Sequence, residues 1–349
     1  DALNHPDAVT DWSGGLGVSW GALDPAAWAG RHVARARSRA ASLGADRRED
    51  AVVYETRVLY LEAVRADARL AAVEAGEVAA MATRDLLARR EREGLVTRAD
   101  VLRAEAALAD AHARKVDAER MTADARARLA LHLGMDPTTP LVPVDTVALA
   151  PAPAVPEAPA AALAERPDVR AAGALVEAAR AEARQAGMAR LPTVELFGAV
   201  STHAPGAFDD REANATLGVQ LRVPLFTGGA LSARREAAEA MARAADLDQL
   251  DALARARAEL DESRRALESA GEALVAATAA ADAAEEASRL TRRRFQEGLA
   301  TTADLLQAEA EATRLRTAAV DARTRVQIAR AAVAFALGAT TETPGGLDR

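Results

Sequence analysis

The sequence contains no cysteine. Disulfides and thiolate metal sites are therefore excluded, while the redox compartment stays open. Aromatic residues make up only 3% of the chain, too few for a core of bulky rings. Lys115 is the single lysine, so nearly all positive charge is arginine; this is a bias in residue usage and carries no function. No apolar run reaches the roughly 18–20 residues that cross a bilayer as a helix, so a membrane role has to come through β-strands. The chain opens on Asp1, with no stretch resembling a secretory signal, the pattern of a mature or trimmed chain. The formal net charge of −8 is the wrong sign for a phosphate-binding face, which argues against nucleic acid as a partner.

Reactive constellations are scarce as well. His5, His32, His112, His132 and His203 are scattered, with no pair at metal-ligand spacing. Gly228-Gly229 opens a helical stretch, yet the flanks lack the Lys-Ser/Thr of a phosphate loop. The abundant carboxylates alternate with arginines at helical spacing, the pattern of a solvated face with i,i+4 pairs. No catalytic, cofactor or metal site is expected, and the chain is not expected to be an enzyme.

What the 349-residue chain does have is alanine, mixed with Arg, Glu, Asp and Leu, within a hydrophobic fraction of 50%. That composition points to long helices or coiled coils. It also has an internal duplication. Residues 93–105 (EGLVTRADVLRAE) and 297–309 (EGLATTADLLQAE) agree at nine of thirteen positions, at a constant offset of 204. The same offset runs without a gap to Gly134 and Gly338. Two structural units of about 200 residues are implied, far longer than solenoid repeats.

Between Gly229 and Glu297 there is no proline, and Leu253, Leu260, Leu267 and Leu274 recur every seven residues. Ala256, Ser263, Ala270 and Ala277 follow each by three, making a heptad seam with a small residue at alternate positions. At 1.5 Å per residue such a helix is roughly 100 Å long. A counterpart runs from about Ala26 to Glu93, with Val52, Leu59, Leu61, Val64, Leu70, Val73 and Val78 marking a less regular apolar stripe. Each long helix ends at a Gly-Leu-x-Thr turn: Gly94 to Thr97, and Gly298 to Thr301. Glycine can take the positive φ that stops a helix, and threonine can cap the next one. Asp100 and Asp304 then fall at the third helical position, completing a capping box with Asp in place of Glu. The returning helices are expected at about 98–134 and 302–338. These are too short to cover the long ones, but a further helix at about 167–190, with Pro167 at its first position, could be stacked end to end with them. Residues 136–160, rich in Pro, Ala and Val, read as a linker.

After Arg190 the period changes from 3.6 to 2. Val194, Leu196, Gly198 and Val200 alternate with Glu195, Phe197, Ala199 and Ser201. Following a polar stretch, Leu217, Val219, Leu221, Val223 and Leu225 alternate with Gly218, Gln220, Arg222 and Pro224. This alternation fits a transmembrane β-strand and equally a half-buried strand of a soluble sheet. A lone hairpin is marginal in water, so it needs strands from other chains. Trp12 to Gly21 is one more candidate strand; its hairpin mate and the helix before it are missing, which implies a truncated first unit. Trp12, Trp20 and Trp28 suit an interfacial aromatic belt or ordinary packing.

At this point the residues resemble the outer-membrane efflux proteins of the TolC type. The signatures are Leu221 to Gly229 (LRVPLFTGG), which looks like the family's strand-to-helix junction, the paired G-L-x-T-x-x-D-[VL]-L tips, and Arg166-Pro167-Asp168-Val169, similar to the family's "RPDL" helix start. The expected fold is mainly α with a small β part: two tandem repeats of long coiled-coil hairpins, plus strands for a trimeric outer-membrane β-barrel above a periplasmic α-barrel. The first repeat spans 1–135, lacking its N-terminal helix and strand. The linker is 136–160, the second repeat 161–338 with a β-hairpin at about 192–226, and the tail 339–349. The resemblance implies a homotrimer whose twelve-stranded barrel takes four strands per protomer; three are visible here.

It further implies outer-membrane lipid, a periplasmic adaptor and an inner-membrane pump as partners, in a Gram-negative bacterium. The adaptor would meet the tips Gly94, Leu95, Thr97, Gly298, Leu299 and Thr301. Asp304 matches an acidic ring at the family's periplasmic aperture, while Gln307 stands where some members carry a second Asp. Helix capping is the other reading of Asp304, and the two are compatible. Asp100 and Arg103 are the first-repeat equivalents, and spacing allows an Arg103–Asp304 contact that holds the aperture shut. The function expected is a passive export conduit of an efflux or type I secretion system, opened by untwisting coiled coils at the tip. A periplasmic adaptor, which would need strand-rich domains flanking one hairpin, and a soluble coiled-coil scaffold are the alternatives.

Overall fold

The computed structural model describes residues 12–144, 160–204 and 212–338. In chain order the elements are β1 (Trp12–Leu23), α1 (Pro25–Arg92), α2 (Arg98–His132), α3 (Ala160–Ala164), α4 (Pro167–Met188), β2 (Thr193–Ala204), β3 (Glu212–Arg222), α5 (Ala230–Gln296) and α6 (Thr302–Leu337). The long helices run 68 and 67 residues, within a residue or two of the periodicity-based bounds. The short α3 was not expected; it closes the Pro-rich linker, most of which, like the tail, falls outside the described residues. The strands reach further into the intervening polar stretch than alternation indicated.

The chain divides into two compact units, each drawing on both repeats: Asp1–Gly44 with Asp168–Ala252, and Ala45–Pro167 with Leu253–Arg349. In the first unit, α4 buries Val169, Ala174, Val176, Ala178 and Ala181. It is tied to α1 by the Arg37–Glu182 ion pair and to α5 by Arg180 on Asp246 at 2.8 Å. The sheet of this unit is antiparallel, in the order β1-β2-β3. Its register sets Leu16 against Val200 and Trp20 against Leu196, then Leu196 against Val219 and Val194 against Leu221. Since alternate residues share a face, the large apolar side chains of all three strands gather on one side. That side is bare: Leu16 is 84% exposed and Leu217 90%. On the opposite face Phe197 lies over Gly218, where a Cβ would come within 2.5 Å of the ring, so a larger residue there would have to push the ring aside.

In the second unit the heptad seam of α5 is realised. Ala256, Leu260 and Ser263 are buried, and Leu253 and Leu267 pack with Leu260 around Leu163, Val333 and Ala336. The stripe of α1 is realised in part. Leu61, Val64 and Val73 are buried, whereas Val52 and Val78 are exposed, because their irregular spacing rotates them off the covered face. At the far end of the hairpins Tyr54 stacks on Phe335 with ring centroids 5.0 Å apart. The Arg47 guanidinium lies 3.6 Å from the centroid of the Phe335 ring and donates to the Phe335 carbonyl at 2.9 Å. Gly134 and Gly338 both adopt φ 72°, ending the two returning helices in the same left-handed turn.

Candidate functional site

The two Gly-Leu-x-Thr turns close α1–α2 and α5–α6 with one geometry. Gly94 has φ 74° and Gly298 φ 77°. The Gly94 amide donates to Glu91 and the Leu95 amide to Arg90, both at 2.9 Å. Gly298 and Leu299 repeat this onto Phe295 and Arg294, at 3.1 and 2.8 Å. This pairing satisfies the last carbonyls of each helix and needs a left-handed residue. Arginines in the last turns (Arg89, Arg90, Arg92; Arg293, Arg294) suit the negative end of the helix dipole.

Thr97 and Thr301 then cap α2 and α6 with reciprocal capping boxes. The Thr301 amide donates to Asp304 Oδ2 at 2.9 Å, its hydroxyl to the same oxygen at 2.7 Å, and the Asp304 amide returns to Thr301 Oγ1 at 3.2 Å. The Thr97–Asp100 set has 3.1, 2.7 and 3.3 Å. The Thr301 amide and hydroxyl hold the Asp304 carboxyl below its ordinary pKa. Asp100 is lowered by the Thr97 hydroxyl, then the Thr97 amide, with smaller pulls from Thr302 and Arg103.

Replacing Thr301 by Ala should destabilise the α6 start by about 1 kcal/mol, read as faster amide exchange in its first turn, with Thr97→Ala doing the same for α2. Acid should act likewise. Because both folded pKa values are depressed, the caps contribute fully above the ordinary carboxylate pKa of about 4. That contribution is lost as pH falls through the lower folded values. Tip exchange, corrected for intrinsic rate, should therefore rise below pH 4 and be flat from pH 5 to 8; the Asp100→Asn, Asp304→Asn double variant should lose that rise.

The turns are held side by side by residues that sequence reasoning missed. Leu87, Val101, Ala104, Phe295 and Leu305 form a buried cluster joining both hairpins. Arg90 crosses between repeats, donating to the Phe295 carbonyl at 2.9 Å and the Gln296 carbonyl at 2.7 Å. Its guanidinium also lies 4.8 Å from the Phe295 ring centroid. Thr302, buried at the start of α6, is near enough to Asp100 to help hold its carboxyl below the ordinary value. Deeper in, Thr83 donates to Glu309 at 2.8 Å, and Arg292 pairs with Glu309 at 2.6 Å.

Of the expected site residues, Leu95 and Leu299 are exposed, at 65% and 64%, and Asp304 and Gln307 are exposed one turn apart on α6. The Arg103–Asp304 contact is not found within the chain. Arg103 instead lies 3.4 Å from Asp100, three residues before it on its own helix, which a neighbour at i+3 offers without crossing between hairpins.

A duplicated pair of capped coiled-coil hairpins, joined to a sheet with one bare apolar face, defines the class of outer-membrane channel proteins. The chain belongs to the outer membrane efflux protein family, which it matches over residues 3–135 and 158–339. Protein CyaE of Bordetella pertussis is 32% identical over 276 residues, covering 72% of this chain and 54% of CyaE. The chain thus spans about half the length of that relative. The outer membrane protein VceC of Vibrio cholerae superposes with a TM-score of 0.75 at 22% identity, over 94% of this chain and 87% of VceC. A membrane protein of Pseudomonas aeruginosa gives 0.80 at 22%, over 95% and 84%. The open MtrE outer membrane channel of Neisseria gonorrhoeae gives 0.73 at 21%, over 95% and 80%. Family and structural neighbours are channels, not enzymes. Among the described residues no helix is long and apolar enough to cross a membrane.

Proposed function

We propose that the protein is the outer-membrane conduit of a multipart efflux or type I secretion system, working as a homotrimer with a periplasmic adaptor and an inner-membrane pump. The observation that carries this is the sheet. Three strands of 11–12 residues match the roughly 9–11 needed to span a bilayer, and their shared apolar face is exposed. β1 and β3 are its outer strands; their unpaired edges invite strands of another copy. Lipid covers the apolar face, and neighbouring copies close the edges. The α-hairpins stand in the periplasm, with exposed Leu95 and Leu299 at the tips to receive the adaptor. Three Asp304 carboxylates around the axis form a cation-attracting, salt-screened ring, while their capping bonds hold the helix starts.

The mass of the full-length protein in detergent, micelle subtracted, tests this. A trimer stable only in detergent is expected; a monodisperse monomer or dimer soluble without detergent would leave a coiled-coil scaffold as the account. Leu217→Arg should cost about 2–4 kcal/mol if that position lies near the bilayer midplane. It should sharply cut the amount of assembled protein in outer-membrane fractions, while Gln220→Arg on the opposite face should leave it near normal.

A further inference from the structure

We propose that the groove between the start of α1 and the end of α4 binds the phosphodiester head group of an anionic phospholipid from the periplasmic leaflet of the outer membrane. The inference rests on the outer-membrane reading above and adds a lipid class and a site to it.

The first observation is charge. The chain as a whole is acidic, with 52 acidic residues against 44 basic ones. The three segments that join the sheet to its helices reverse this. Residues 24–39 hold four arginines and one aspartate, residues 180–192 three arginines and one glutamate, and residues 222–243 four arginines and two glutamates. Near an anionic bilayer surface each such arginine strengthens binding about fivefold.

The second observation is geometry. Leu23 pairs with Val194, and Arg222 with Thr193, so α1 leaves the sheet beside the point where α4 enters it. The two helices are joined there. A Cβ on Gly30 would stand 3.0 Å from the Gln185 amide, and Arg37 pairs with Glu182. Beside these contacts run two stretches of one groove, of about 450 and 460 Å3. Trp28 and Met188 line the stretch nearer the sheet, and Arg35, Arg39 and Arg180 the stretch further off. His32 and Arg184 line both.

At 1.5 Å per residue, Trp28 lies about 5 Å and Arg35 about 15 Å from the start of α1, and Arg184 about 6 Å from the end of α4. The polar layer of a leaflet is about 5–8 Å deep. Side chains lean toward the N-terminus of their helix. Arg35 therefore leans toward the sheet and Arg184 away from it, so the two guanidinium groups converge. Both are exposed, and among the described residues neither is held by an ion pair. Arg39 and Arg180, by contrast, have Glu177 at 3.7 Å and Asp246 at 2.8 Å. Apolar surface next to the sheet, followed by two available guanidinium groups, is the order in which a phospholipid presents acyl chain and phosphate. A guanidinium fork matches two phosphate oxygens at once. An anionic cargo in a water-filled path would use the cations but leave Trp28 and Met188 facing water.

Native mass spectrometry of the full-length protein in detergent, titrated with phosphatidylglycerol or phosphatidylethanolamine, tests this, and the same spectra report whether the oligomer is intact. One retained phosphatidylglycerol per subunit is expected, with phosphatidylethanolamine about tenfold weaker. Arg35→Gln with Arg184→Gln should weaken phosphatidylglycerol about 25-fold. Arg35→Lys with Arg184→Lys, which keeps both charges, should stay within about fivefold of the parent, separating lost attraction from a lost fold. Arg289→Gln with Arg314→Gln, exposed arginines elsewhere on α5 and α6, should change nothing. An equal loss in both glutamine pairs would mean diffuse attraction and overturn the site. Displacement of the lipid by glycerol phosphate would overturn it too, marking a site for soluble anions. An intact oligomer that binds both lipids alike would overturn the site while leaving the conduit reading standing. A monomer soluble without detergent would overturn both.

Discussion

Leu305→Ala is expected to open the paired tips, raising amide exchange across residues 295–306 by roughly a hundredfold. Leu305 is fully buried, as is Leu87, and Val101, Ala104 and Phe295 complete the cluster. Removing a buried leucine side chain costs its transfer free energy plus a cavity term, together about 2.7–5 kcal/mol. The low end already corresponds to a factor of a hundred in a local opening equilibrium. The upper end is favoured because the site cannot collapse: each hairpin is pinned by its own glycine turn and capping box. Exchange measured by mass spectrometry on the assembled protein reads this directly. A rise of less than about fivefold would mean that the cross-repeat contacts of Arg90 and Thr302, not the apolar cluster, hold the hairpins together.

The second large effect is expected at Arg166. Its side chain is 2% exposed, and its guanidinium donates to the Ala336 carbonyl and to Glu259, each at 2.7 Å. It thereby joins the end of α6, the middle of α5 and the first residue of α4, Pro167. Gly338, which ends α6, lies against the same arginine: a Cβ there would stand 3.2 Å from Arg166 Cγ. Arg166→Ala leaves a buried carbonyl without that donor and a void where the aliphatic stem had been. Glu259 is not stranded, since it is 40% exposed and Arg47 lies 3.6 Å away. The expected loss is about 3 kcal/mol, read as a lower denaturation midpoint in detergent. Arg166→Lys, keeping the charge but not the two-way fork, should recover only part of it. An unchanged midpoint would assign the residue to chain recognition and not to stability.

Arg166 shows where sequence reading stops. As a residue of the Arg-Pro-Asp-Val motif it marked a helix start, and Pro167 does open α4. Nothing in the motif indicated that its guanidinium would be swallowed by residues 93 and 170 positions away. Arg90 is similar. Its counterpart Arg294, at the offset of 204, was available as a signal, but helical spacing did not say which carbonyls it would reach. Arg103 is the converse case: within the chain it lies beside Asp100, one turn back on the same helix, a neighbour that helical spacing alone makes available.

The amino-acid sequence alone determined what depends on neighbours a few residues apart. It set the helix lengths, since no proline or glycine pair interrupts them. It set the turns, since Gly94 and Gly298 accept φ near 75° and Thr-x-x-Asp satisfies the next helix's amides. It set the sheet's two faces, since strand side chains alternate. The tertiary structure decided which stripe of α1 is covered, why Val78 is exposed while Val73 is buried, and how the two hairpins lock. Those outcomes depend on surfaces brought together from positions some 200 residues apart. Periodicity shows that a face is apolar; only packing shows what covers it.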